Sequence, residues 1–126
     1  MARRDSKAEE GWDYVLDLHR QKIGYDNGNW VTIRAVRVEP NSGRPHGLQY
    51  SLTLHDENDD RILGYDNSHG VDVATGPAKK SKRPKPFDHI DRQGKRSVPY
   101  KFTTPFKLVE DFFTEVEKIL REEGTL

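Results

Sequence analysis

Along this 126-residue chain, hydrophobic and polar positions fall into stretches of different period. Between Trp12 and His19, the residues Trp12, Tyr14, Leu16 and Leu18 alternate with Asp13, Val15, Asp17 and His19. Successive side chains of an extended chain point to opposite faces, so this alternation predicts a half-buried strand. A helix competes for the same segment, because Val15 and Leu18 also suit one helical face. Residues 24–29 are dense in turn formers. Trp30–Glu39 is β-branched, with Val31 and Ile33 on one parity and Val36 and Val38 on the other. That shift predicts a strand buried on both faces or a β-bulge near Ala35. Residues 40–47 read as a polar loop. Leu48, Tyr50, Leu52 and Leu54 then alternate cleanly with polar partners, predicting the clearest strand of the chain, with His55 on its solvent-facing parity. Asp56–Asp60 is an acidic turn, and Arg61–Tyr65 reads as the returning arm of a hairpin.

Near the C-terminus, Pro99–Thr103 predicts a short strand. Thr104 and Pro105 then form a helix start, Thr as N-cap and Pro at the first helical position. Phe106, Val109, Phe113, Val116 and Leu120 follow at spacings of three and four, and Leu108, Phe112 and Ile119 widen the stripe. Gly124 ends the helix. These elements predict an α+β fold: an antiparallel sheet of four to five strands with a C-terminal amphipathic helix packed on one face. The length allows a single domain over residues 1–126, with 1–11 as a frayed tail and 71–97 as a basic loop insertion.

Composition narrows the class. There is no Cys, which excludes disulfides, thiolate zinc sites, iron–sulfur clusters and cysteine nucleophiles. No apolar run approaches the ~18 residues of a membrane span, and the polar N-terminus is not a signal peptide. A soluble, cytoplasmic protein with no membrane partner is the expectation. The 21 basic and 21 acidic residues cancel, yet they are segregated. Lys79, Lys80, Lys82, Arg83, Lys85, Arg92, Lys95 and Arg96 crowd the middle loop, while Glu110, Asp111, Glu115, Glu117, Glu122 and Glu123 lie on the terminal helix.

The chemistry-bearing candidates cluster around that loop. Of five His, His69 ends the run Gly64-Tyr65-Asp66-Asn67-Ser68-His69-Gly70, and His89 lies in Phe87-Asp88-His89-Ile90-Asp91-Arg92. Two imidazoles and a guanidinium suit transphosphorylation of RNA without a metal: one His takes the 2′-hydroxyl proton, the other protonates the leaving oxygen, and Arg92 balances the developing charge. Asp66 or Asp88 would orient an imidazole, and Tyr65 would stack or donate a hydrogen bond. The same runs are also turn chemistry, Asx side chains closing bends and Gly supplying positive φ. A metal site from His69, Asp88 and His89 lacks ligand spacing, so no metal or cofactor is expected. Lys79, Lys80, Lys82, Arg83 and Lys85, with Tyr100 as a stacking ring, form a candidate RNA contact.

The run Ile62–Gly70 resembles the Y-D-N-x-H-G signature of TumE-type toxins of bacterial and archaeal toxin–antitoxin modules. So do Asp88–Gly94, the closing segment Pro99–Thr103 with Leu108, Asp111-Phe112, Val116 and Ile119-Leu120, and His46-Gly47 ahead of Tyr50. The resemblance spans roughly residues 12–122. It implies a small intracellular toxin silenced by a cognate antitoxin. Because small toxins of such modules are commonly ribonucleases, it also implies RNA as substrate and growth arrest as outcome. A second copy of the chain is a further candidate partner. The family pattern has a second His soon after Asp-His; here Asp91 and Arg92 stand instead. The alternative is a non-enzymatic nucleic-acid- or protein-binding module acting through residues 79–85.

Overall fold

The computed structural model describes residues 11–68 and 87–124. Helix α1 (Trp12–Asp17) leads into β1 (Lys22–Gly24), β2 (Trp30–Arg37), β3 (Leu48–His55), β4 (Arg61–Asp66), β5 (His89–Arg92), β6 (Val98–Pro99) and helix α2 (Pro105–Glu122). The six strands form one antiparallel meander in chain order. The architecture is therefore α+β with a C-terminal helix on the sheet, and six strands replace the expected four to five. The additions are β1, whose end falls among the turn formers, and β5, which lies inside the stretch read as a basic loop over 71–97. Residues 71–86 of that loop and 1–10 of the expected frayed tail lie outside the described residues.

β2 and β3 form the central hairpin, in continuous register from Trp30 opposite His55 to Arg37 opposite Leu48. One face of this pair carries Val31, Ile33 and Ala35 against Leu48, Tyr50, Leu52 and Leu54, all buried. The register corrects the bulge expected near Ala35. Inward parity holds through Ala35, Val36 simply faces solvent at 38% exposure, and the irregularity falls instead between β3 and β4, at Leu54/His55. Nor is His55 a plain surface residue: its ring stacks 4.1 Å from that of Trp30 and bonds with the Thr53 hydroxyl.

α2 closes the apolar face. Thr104 caps it, accepting from the Lys107 N–H at 3.0 Å, with Pro105 in the first turn. Leu108, Val109, Phe112, Val116, Ile119 and Leu120 are buried, while Phe106 is 39% exposed, so the stripe that enters the core is centred on Phe112. α1 overturns the strand expected at Trp12–His19. Trp12 and Val15, three positions apart, are its buried residues, whereas Tyr14 is 46% exposed. Helical spacing thus wins over alternation because Trp12 and Val15 are the two that bury fully, with Leu16 and Leu18 only partly buried against the same core. The Arg37 guanidinium lies 3.9 Å over the Trp12 ring. Arg37 shares the parity of Ile33 and Ala35, so both helices sit on the same side of the sheet. No helix among the described residues is long and apolar enough to cross a membrane.

Candidate functional site

Two polar clusters form where β4 ends and β5 begins, and the sheet separates them. Asp66 lies directly opposite His89, and Tyr65 opposite Ile90. Alternation then sends Asp66, His89 and Asp91 to the face away from the helices, and Tyr65, Asp88, Ile90 and Arg92 to the helix face.

On the helix side, the loop before β3 and the residue after β4 converge on Asp88. The Leu48 N–H donates to His46 Nδ1 at 3.1 Å, so the neutral ring carries its proton on Nε2 and donates it to Asp88 Oδ2 at 2.9 Å. The Tyr50 hydroxyl donates to the same oxygen at 2.6 Å. Burial and then the Asp88 carboxylate push the Tyr50 hydroxyl far above its usual range. Asn67, fully buried, accepts from the Tyr50 N–H at 2.9 Å and donates to the Leu48 carbonyl at 2.8 Å. It continues the β3 ladder with its side-chain amide where β4 has ended. His46 also stacks on Phe102 at 3.8 Å. Both ring nitrogens and one ring face are engaged and its carboxylate partner Asp88 is buried, so His46 acts as a bracing group.

On the other face, Arg34, Ser51, Asp66 and His89 are successive cross-strand partners, a single row over four strands. The Phe87 carbonyl can only accept, so His89 Nδ1 donates to it at 2.7 Å. The ring is thereby oriented with Nε2 placed 3.2 Å from Asp91 Oδ2. The carboxylate also only accepts, so this contact is a hydrogen bond when Nε2 carries a proton. Arg61 reaches over Gly64, with its guanidinium 3.7 Å from Asp66 and 3.5 Å from Asp91. A Cβ at Gly64 would meet that guanidinium, so a side chain there would displace Arg61 from its place over the strand. Burial pushes the Asp66 carboxyl upward. Hydrogen bonds from the Ser68 hydroxyl and N–H and from Ser51, with the Arg61 charge, more than offset this and hold it below its usual range.

Of the residues singled out in the sequence, Asp66 and His89 are brought together, and Asp91 and Arg61 join them. Asp88 is their neighbour in sequence but on the opposite face, so it orients His46 and not His89. The same separation divides the candidate ligand set of His69, Asp88 and His89. Arg92 faces the helix and donates to Glu122 at 3.1 Å. Tyr65 is buried at 3% exposure, edge-on to Tyr100 and Phe112, which leaves no ring face for a base. Tyr100 donates from its hydroxyl to Asp111 at 2.7 Å. His69, Lys79, Lys80, Lys82, Arg83 and Lys85 lie outside the described residues. Arg61 went unnoticed in the sequence because it opens a hairpin arm and belongs to no motif. The signal for separating Asp88 from His89 was there: adjacent residues of a strand face opposite ways, once β5 is recognised as a strand.

The base of the 69–86 segment is tied on both sides by the loop before β3. Arg44 donates to the Asn67 carbonyl at 2.7 Å and to that of Ser68, and its guanidinium lies 5.1 Å from the Phe87 ring centre. The Phe87 N–H donates to the Gly43 carbonyl at 2.7 Å, and a Cβ at Gly43 would overlap the Phe87 ring.

The sequence model of the toxin TumE family matches residues 16–120. No curated protein and no solved structure matches the chain. The match takes in every strand and most of α2, and the chain belongs to the TumE toxin family.

Proposed function

Starting from membership of the TumE toxin family, whose toxin–antitoxin context implies a cognate antitoxin as partner, we propose that this toxin is an endoribonuclease working by general acid–base chemistry without a metal. The observation that carries the reading is the setting of His89. Its Nδ1 is fixed by a backbone carbonyl, and Nε2 faces the Asp91 carboxylate on the polar face of the sheet. An imidazole oriented through one nitrogen and paired through the other is suited to move a proton at Nε2. The His89 side chain is only 7% exposed, so Asp91, about one-third exposed, is the member of the pair that meets solvent. Arg61, held between Asp66 and Asp91, supplies positive charge beside them, a role that Arg92 cannot fill from the helix face. His69 follows Ser68 directly in sequence and is the second proton-transfer group of the proposal. Lys79, Lys80, Lys82, Arg83 and Lys85 attract the phosphate backbone, and cytoplasmic RNA is the substrate class.

His89→Ala should abolish RNA cleavage in vitro and growth arrest on expression, with the circular dichroism spectrum unchanged and cleavage by the wild type indifferent to a chelator. Undiminished cleavage by a folded His89→Ala protein would remove the mechanism. Salt-sensitive RNA binding with no cleavage by the wild type would make the chain a binding module instead.

A further inference from the structure

The polar face of the sheet holds a groove of about 330 Å³ beside the Asp66–His89 pair, lined by His19, Arg34, Val36, Gln49, Ser51 and Ser68 among others. Ser51 and Ser68 are also the residues whose hydroxyls bond to Asp66, so groove and pair share a wall. Among the described residues, no carboxylate lines it. The groove between the helices differs, being rimmed by Glu110 and Glu117.

Three polar groups lining this groove have hydrogen-bonding capacity that the described residues leave unused. Arg34 is exposed and, among the described residues, has no ion pair, hydrogen bond or ring contact, whereas Arg61 is paired with Asp66 and Asp91, Arg92 with Glu122 and Lys107 with Asp111. Gln49 likewise uses neither end of its amide among the described residues. His19 Nδ1 accepts from the Ala35 N–H at 3.0 Å, so the neutral ring carries its proton on Nε2, a donor without a partner among those residues. A guanidinium, an amide and an imidazole N–H lining a pocket where no described residue adds a carboxylate match the oxygens of a phosphodiester.

We propose that this groove is a phosphate subsite for single-stranded RNA, with Arg34 as its anchoring cation and Gln49 and His19 as neutral donors. The choice of RNA as ligand rests on the nuclease reading. At ordinary strand spacing the Arg34 backbone stands roughly 10 Å from that of Asp66 and 14 Å from that of His89. The subsite therefore holds a nucleotide flanking the reacting phosphate. The exposed side chain of Val36 gives that nucleotide an apolar surface.

The test is the salt dependence of binding by the full chain to a short single-stranded RNA that is 2′-O-methylated, and so lacks the nucleophile for cleavage. Each phosphate neutralised contributes about −0.7 to the slope of log K against log salt for a single strand. Arg34→Gln should make the slope shallower by about that amount and weaken binding several-fold at low salt, while Arg34→Lys keeps the slope. Equal slopes for wild type and Arg34→Gln, or no binding by the wild type, would overturn the subsite. Cleavage of unmodified RNA is read separately. A shallower slope in Arg34→Gln with no cleavage by the wild type retains the subsite and removes the nuclease reading. Cleavage with equal slopes does the reverse.

Discussion

Asp66 shows how much one side chain can carry. Its carboxylate takes hydrogen bonds from Ser68 and Ser51 and faces the Arg61 charge, so its pKa is lower folded than unfolded. A group depressed in this way adds stability above its unfolded pKa of about 3.9 and gives it up as pH falls through the folded value. Asp66→Asn should therefore be less stable than the wild type at neutral pH, with the gap closing below about pH 4. Urea unfolding at a series of pH values checks this; a gap that stays constant down to pH 3 would show that Asp66 is no acid-sensitive anchor. At this scale the sequence was legible for types and not for directions. Asp66 and His89 stand out in motifs, and they do meet. Asp88 stands out equally and faces away, because a two-residue period decides sides, and residues 87–97 show no periodicity of their own from which to read it.

Short elements were the hardest to read, and α1 explains why. Trp12, Tyr14, Leu16 and Leu18 alternate, yet the segment is a six-residue helix. Its conformation is set by what Trp12 and Val15 can bury against α2, a tertiary fact absent from local spacing. The junction is tight at Gly11, which has φ of 86° and lies so close to Phe106 that a Cβ would fall 2.4 Å from the Phe106 backbone nitrogen. Gly11→Ala should lower stability by at least about 2 kcal/mol, through left-handed backbone strain together with the overlap. Gly94→Ala, with φ of 77° and open space, should lose only about 1 kcal/mol. Denaturation midpoints of the two variants give the comparison, and equal losses would mean that the α1–α2 junction yields freely. α2 was legible throughout because eighteen residues of helical period, a Thr cap and a first-turn Pro all agree. β3 was legible for a similar reason: four consecutive inward Leu and Tyr positions admit one register.

The whole molecule is an apolar sheet face roofed by helices, with tyrosine hydroxyls at one end. Burial raises Tyr50, Tyr65 and Tyr100 together, Tyr65 to about 12, reinforced by Asp88 at Tyr50, by Glu115 and Asp111 at Tyr65 and by Asp111 at Tyr100. A raised tyrosine contributes fully below its unfolded pKa of about 10 and loses that contribution as pH climbs toward the folded value. Alkaline titration should thus unfold the protein in one transition above pH 10, with the ultraviolet tyrosinate signal of these three rings appearing with the loss of structure. Stepwise tyrosinate formation in a chain that keeps its circular dichroism would contradict this. At the level of the molecule, the α+β class and the roofing helix were legible from period alone. Strand count and the split of the polar residues between two faces were not, because the count depends on β1 and β5 and the split on β5.

The meander leaves outermost strands of only three and two residues, the latter ending in Pro99. Rims this short, one of them closed by a residue with no N–H to offer, give an incoming chain little of β1 or β6 to extend. An inhibitor has broad sides to cover in place of a border to lengthen, and a blocker seated on the polar side would cover Arg34 and the exposed part of Asp91 under one footprint.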